Sequence, residues 1–395
     1  MTLRNKRLMD RQFHQSFLQE AKLIYGNDFI PLHRPIFEGN ERQYLIDCID
    51  SNFVSSVGSK VPEFEEKVAA FTKSKYAVAT VNGTAALHVA IELAGVQPGD
   101  EVISQALTFI ATCNAISYAG AKPLFIDVDV DTMGLSPDAL KLFLEENAER
   151  KPRGTYNKIS GKKISACIPM HTFGFPCRIA EISEICADWN IALIEDAAES
   201  LGSYAGSGHT GTFASMGTLS FNGNKVITTG GGGMIITDDY ELAKQAKHIT
   251  TTAKVPHLYE FIHDKSGYNY RMPNLNAALG VAQLAQLEQK LLQKRALANR
   301  YIDVFRECTD IQMFSEREGT ISNYWLNTMI LSSAVSSARD TILSTLNDSQ
   351  LMSRPVWEPM HTLQIYANCP RADLAVTEDL ARRIINLPSS AKLGA

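Results

Sequence analysis

Several things are scarce in this 395-residue chain, and each scarcity excludes a class of function. No apolar stretch reaches the roughly 18 residues that a membrane-spanning helix needs, so no such helix is expected. The first residues, "MTLRNKRLMDRQFHQ", carry charge with no apolar run behind it, unlike a secretory leader. Positive charge is not in excess: 38 Lys and Arg face 43 Asp and Glu, a net charge of -5. That leaves no basic bulk for nucleic acid. The seven cysteines never form a CxxC pair. An odd, scattered set fits reduced thiols and a cytoplasmic location. Cys113 and Cys167 sit in apolar runs and read as core. The nine histidines do not cluster at ligand spacing, so no metal is expected. Internal repeats and low-complexity segments are absent.

What is present is an ordinary globular balance, 45% hydrophobic and 21% charged. Length alone suggests about two or three domains. Residues 10–25 place Phe13, Phe17, Leu18, Ala21 and Ile24 on one helical face. "FIPLHRPIF" follows as an extended arm. From about residue 40, helical and strand patterns alternate. "YAVATVN" reads as a strand and "GTAALHVAIELAG" as a helix. "DEVISQALT" and "KPLFIDVD" are strands, and "SPDALKLFLEENAER" is a helix opened by Ser136 with Pro137 next. "KISACIPMHTFG", "IAEISEICADWN" and "IALIEDAAES" continue as strand, helix and strand. The pattern predicts an α/β fold with a mostly parallel, mixed sheet wrapped by helices. One long helix is expected from Leu275 to Leu297, followed by a smaller C-terminal α+β domain. The expected divisions are an N-terminal helix and arm at 1–38, a large domain at 39–275, and the connecting helix with the small domain at 276–395.

Ligands of parallel α/β sheets bind at the carboxyl ends of strands, and three such ends carry suggestive residues. "VNGTAAL" opens a helix at Gly83 and Thr84, where free N–H groups make an anion site; a plain strand-to-helix turn fits equally. "IEDAAES" places Glu195 and Asp196 at the end of an apolar strand, followed by small residues that leave room for a ligand. Either carboxylate also fits a helix cap. "SFNGNKVITTGGGGMIIT" sets Ser220 and Lys225 before a glycine run. The Walker order puts glycines ahead of its lysine and is not met. A buried lysine loses its proton readily and serves as a Schiff-base amine. An anion cradle, a carboxylate and such a lysine together specify pyridoxal 5′-phosphate. Phe109 offers the aromatic face.

These motifs, with "TFIATCNAI" and "GYNYRMPNLNAALGVAQL", resemble the DegT/DnrJ/EryC1/StrS family of sugar aminotransferases in order and over about residues 30–390. "PLHRPIFEGNE" and "DSNFVSSVGS" resemble the legionaminic acid and bacillosamine branch, which acts on nucleotide-linked 4-keto-6-deoxy-N-acetylglucosamine. The resemblance implies the aspartate aminotransferase fold (fold type I). It implies that Lys225 carries the cofactor, Asp196 pairs with the ring nitrogen, Phe109 stacks on the ring, and Glu199 lies near the phenolic oxygen. Thr84, Ala85 and Ser220 would hold the phosphate. Asn269 would reach it from a second copy, making the active unit a homodimer, with Arg271 facing substrate. In "MSRPVWEPMH", Arg354 and His361 are expected near the nucleotide; a surface salt bridge or turn is the plain alternative. L-Glutamate is the implied donor. A nucleotide-linked keto sugar, UDP- or GDP-linked, is the implied acceptor, and GDP-4-keto-6-deoxymannose is an alternative. Dehydratases of the family carry histidine where Lys225 stands, and a regulatory relative would have lost Lys225 or Asp196. Many members read "TTGEGG" where this chain has Gly231.

Overall fold

The structure, a computed structural model, describes residues 29–395. The helix expected at 10–25 lies outside the described residues. The arm from Phe29 is held by an isolated bridge between Ile30 and Leu351. Two helices, α1 (Glu41–Asp50) and α2 (Lys60–Thr72), lead into β1 (Tyr76–Thr80). The chain then alternates through α3 (Gly83–Leu93), β2 (Glu101–Gln105), α4 (Ile110–Tyr118), β3 (Lys122–Ile126) and α5 (Pro137–Asn147). Strands β4 (Ala148–Lys151), β5 (Gly154–Asn157) and β6 (Lys163–Ile168) precede α6 (Ile179–Asp188) and β7 (Ala192–Asp196). Then come β8 (Met216–Ser220), β9 (Gly233–Thr237) and α7 (Tyr240–Thr250).

These nine strands form one sheet whose main order is β1-β9-β8-β7-β6-β2-β3. From β8 to β3 every neighbour is parallel. Within that main order β9 alone runs antiparallel, to both β1 and β8. The sheet is buried on both faces, which is why its strands read as continuous apolar runs. In β2, Val102 packs with Ala86, Ile116 and Ile249 of α3, α4 and α7. Its neighbour Ile103 packs with Leu140 and Ile182 of α5 and α6 on the other side. Side chains alternate between faces along a strand, so adjacent residues enter different cores. Parallel direction gathers the carboxyl ends of β2, β6, β7 and β8 at one edge, with the first turns of α3 and α4 beside them.

Two local expectations change. The helix expected through Arg150 stops at Asn147, and a hairpin, β4–β5, follows. Pro152 starts its turn, and Gly154 completes it at φ +126°, a conformation that side chains resist. The single long helix is two, α8 (Asn274–Leu284) and α9 (Leu287–Phe305). Gln286 leaves helical geometry at φ -106°, ψ 1°, and its side chain turns to Glu41 at 2.6 Å.

A second sheet follows. It comprises β10 (Ile311–Met313), β11 (Asn327–Leu331), then α10 (Arg339–Asp348), β12 (Arg354–Pro355), α11 (Ala375–Ala381) and β13 (Ile384–Leu387). Its order is β10-β11-β13-β12, antiparallel throughout. Leu297 and Tyr301 of α9 and Ile342 of α10 fill its core with Met329 and Ile385. The loops flanking β11 and β12 reach back to the carboxyl edge of the first sheet.

The glycine run acts where β9 enters between β1 and β8. Gly233 pairs with Thr80 on one side and Ser220 on the other. A Cβ there would lie 2.4 Å from the Asn82 carbonyl oxygen. Gly230 takes φ +79° to make the turn, whereas a Cβ on Gly231 would meet only Val81 O at an ordinary 3.8 Å. Gly233→Ala is therefore expected to destabilise the protein by about 1–3 kcal/mol through overpacking, and Gly231→Ala to change stability by less than about 0.5 kcal/mol. Urea unfolding of the two variants checks this; equal losses would remove the steric argument.

Candidate active site

A cavity of about 370 Å³ opens at the carboxyl edge of the first sheet. Thr84, Phe109, Asp196, Glu199, Ser220 and Lys225 all line it. Thr84 and Phe109 stand at helix starts, Asp196 and Ser220 end strands, and Glu199 and Lys225 lie in the loops that follow β7 and β8. Asn82 caps α3, and its side chain accepts from the Ala85 N–H at 2.8 Å. That N–H, expected to meet a phosphate, is taken by the cap. The N–H groups of Gly83 and Thr84 have no acceptor within the helix, and both residues line the cavity. Gly83 is required for closeness: a Cβ there would lie 3.0 Å from Ser220 Cβ. The helix start and the Ser220 hydroxyl thus form one anion cradle.

Asp196 ends β7 and is buried, with only 2% of its surface exposed. Its Oδ2 accepts from the Thr112 hydroxyl at 2.7 Å and its Oδ1 from the Ala198 N–H at 3.1 Å. Burial pushes its carboxyl above the usual range, and these two bonds and the Lys225 charge pull it back. Thr112 lies in α4, inside "TFIATCNAI", and sequence reasoning passed over it. Nothing in the sequence set it apart from Asn114 and Ser117 of the same helix. Glu195, the neighbouring strand-end carboxylate, points elsewhere. It accepts from His171 Nε2 at 3.0 Å and from the N–H groups of Gly211, Phe213 and Ala214.

Lys225 Nζ lies 3.1 Å from Glu199 Oε1 and 4.0 Å from the centre of the Trp325 ring. The other Glu199 oxygen accepts from the Phe173 N–H at 2.9 Å. Burial pushes Glu199 up to about 7, against the pull of Lys225 and of the Phe173 N–H. Phe109, 46% exposed, places its ring 5.9 Å from that of Trp357. Trp325 and Trp357 come from the second-sheet region and were not foreseen as site residues. Trp325 donates to the Asn224 carbonyl at 2.7 Å, which ties it to the loop carrying Lys225.

A second cavity of about 450 Å³ adjoins the first. Asn224, Trp325 and Trp357 line both. Arg354, exposed, lines this second cavity. His361 lines neither; its Nε2 contacts Glu378 at 3.2 Å. Asn269 and Arg271 are exposed, bonded to each other at 3.2 Å, and line neither cavity of their own chain.

The aminotransferase pattern described as DegT/DnrJ/EryC1/StrS matches residues 35–395. The chain belongs to this family. It is 36% identical to GDP-perosamine synthase of Escherichia coli O157:H7 over 361 residues, 91% of this chain and 93% of that one. It is also 36% identical to the putative pyridoxal phosphate-dependent aminotransferase EpsN of Bacillus subtilis, over 92% of each chain. Among solved structures, DesI in the presence of its TDP-sugar product superposes with a TM-score of 0.80. It has 26% identity, and the match covers 93% of this chain and 91% of that one. The chain is a transaminase of fold type I, and its cofactor is pyridoxal 5′-phosphate. The donor set fits that group: an anion cradle that a Cβ on Gly83 would crowd, a buried carboxylate and a lysine amine share one cavity. Among the described residues, no helix is long and apolar enough to cross a membrane.

The Glu199 shift has a consequence for the cofactor-free protein. Its carboxyl is raised from 4.5 to about 7, so the fold keeps a proton that the unfolded chain releases. The contribution of this group to stability is full below about pH 4.5 and is lost as pH rises through about 7. Glu199→Gln is expected to flatten the fall of melting temperature between those pH values. An unchanged slope in the variant would assign the pH dependence to another group.

Proposed function

We propose that this enzyme moves an amino group from L-glutamate to C4 of a nucleotide-linked 4-keto-6-deoxy-N-acetylhexosamine. The observation that carries the reading is the shared wall of the two cavities. A sugar nucleotide held in the second, with Arg354 opposing its phosphate charge, presents its carbonyl past Trp325 and Trp357 to Lys225. The family membership supports the reaction class, and the resemblance of "PLHRPIFEGNE" and "DSNFVSSVGS" supports the acetamido sugar. The relatedness to GDP-perosamine synthases supports a second reading, a GDP-linked 4-keto-6-deoxymannose.

When bound, pyridoxal phosphate supplies an electron sink and carries the amino group between two half-reactions. The chain's own residues do the rest. The Thr84 side chain and N–H, with the Ser220 hydroxyl, would hold the phosphate. The Asp196 carboxylate would pair with the ring nitrogen and keep it protonated; Thr112 and the Ala198 N–H favour its ionised form. Phe109 would cover the ring. Lys225 would anchor the cofactor through its Nζ, and the same amine would take the proton from the donor α-carbon. Glu199 holds Lys225 Nζ in place beside Trp325. At the acceptor, Lys225 would deliver a proton to C4 of the sugar, whose carbonyl oxygen would leave as water.

Incubation with glutamate and a panel of UDP- and GDP-linked 4-keto-6-deoxy sugars tests the substrate. The acetamido sugar, UDP- or GDP-linked, is expected to be aminated fastest. Faster turnover of the GDP-linked 4-keto-6-deoxymannose would select the second reading, and turnover of none would remove both.

We also propose that the working unit is a homodimer in which Asn269 and Arg271, exposed on their own chain, serve the site of the second copy. A twofold interface presents the same segment to both sites. Lys225→Ala and Asn269→Ala chains are each expected to be weakly active. Mixed dimers would hold one intact site, so free reassortment should restore about a quarter of normal activity. No recovery despite proven exchange of subunits would mean that each site uses its own chain alone.

A further inference from the structure

The wall of the second cavity contains an imidazole that the roles above do not use. His33 lies in the arm and lines this cavity. Both of its ring nitrogens are shielded from solvent and have no hydrogen-bond partner. The backbone on either side is pinned. The Leu32 carbonyl accepts from the Ser389 N–H at 2.7 Å, and the Arg34 N–H donates to Ser390 Oγ at 2.7 Å. These bonds hold the arm's backbone on the cavity wall, so only rotation of the side chain itself would turn a ring nitrogen toward a ligand. A buried polar group without a partner is unfavourable in the free protein. Such a group persists where a ligand supplies what the protein does not.

We propose that His33 is a specificity residue for the sugar, hydrogen-bonding an uncharged polar substituent of the pyranose, a hydroxyl or an acetamido group, in the second cavity. The inference rests on the nucleotide-sugar reading of that cavity. An uncharged partner follows from the surroundings. Burial, then the charges of Lys294, Lys225 and Lys290, hold the His33 imidazole well below its ordinary protonation range. It enters as a neutral ring, one nitrogen donating and the other accepting. A phosphate prefers a cation, and Arg354 on the same wall supplies one. Lys294 is committed elsewhere, donating to the Trp325 and Ser389 carbonyls at 3.1 and 2.6 Å. His33 is thus free to report on the neutral part of the substrate.

Calorimetric titration of the holoenzyme with two pairs of probes tests this: UDP against UDP-N-acetylglucosamine, and GDP against GDP-mannose. His33→Ala is expected to weaken the sugar-bearing probe by about tenfold and to leave the bare nucleotide within about twofold. His33→Asn, which keeps a donor and an acceptor, is expected to recover part of the loss and guards against a variant that fails to fold. Equal weakening of both members of a pair would make His33 a structural residue. Unchanged binding of the sugar-bearing probe would also overturn the assignment while leaving the nucleotide-sugar reading intact. Failure of the unmutated enzyme to bind either pair would instead overturn that reading, and this inference with it.

Discussion

A lysine amine 3.1 Å from a fully buried glutamate organises the surroundings of this site. Burying such a pair is costly unless every remaining lone pair finds a donor. Glu199 obtains its second donor from the Phe173 N–H, and to give it, Phe173 takes φ +56°, ψ 15°. That left-handed conformation is strained for a bulky residue. It also lays the Phe173 ring against Trp357, with centroids 4.8 Å apart. Asn323 adds a bond from its side chain to the Glu199 carbonyl at 2.9 Å. Glu199 therefore fastens three segments to one point, the loop after β6 and the lysine loop through its carboxylate and the segment before β11 through its backbone carbonyl.

The strand ends were legible because their signals are local. A parallel sheet buried on both faces reads as apolar runs, and the polar residues that close those runs fall at the carboxyl edge. Thr84, Asp196, Ser220 and Lys225 were reachable this way. Trp325 and Trp357 were not, since they arrive from 100 or more residues further along the chain and their partners are set by tertiary packing. Thr112 was hidden for a different reason. Its hydroxyl counts only once α4 is laid beside β7, and helical periodicity carries no information about that neighbour. The glycine run was legible as a tight turn, but its place was not. Gly233 serves the backbone of Asn82 and Gly83, so it supports the anion cradle instead of the lysine.

The two adjacent acids at the end of β7 show how little separates a chemical role from a structural one. Both are buried, and both end the same apolar run. Alternation along the strand sends them to opposite faces. Asp196 turns to the cavity, where its partners are a hydroxyl, an N–H and the distant Lys225 charge, and it keeps one side available for a ligand. Glu195 turns away and spends its oxygens on His171 and on three N–H groups of the loop at 211–214. That loop leads directly into β8, which ends at Ser220. A Cβ on Gly217 of β8 would lie 2.1 Å from the Gly211 carbonyl oxygen, so loop and strand are in close contact. Glu195 therefore acts on the site without entering it. By fixing the loop it fixes the register of β8 beside β7, and the register decides that Ser220 stands opposite Gly83 and that Lys225 follows it to Glu199.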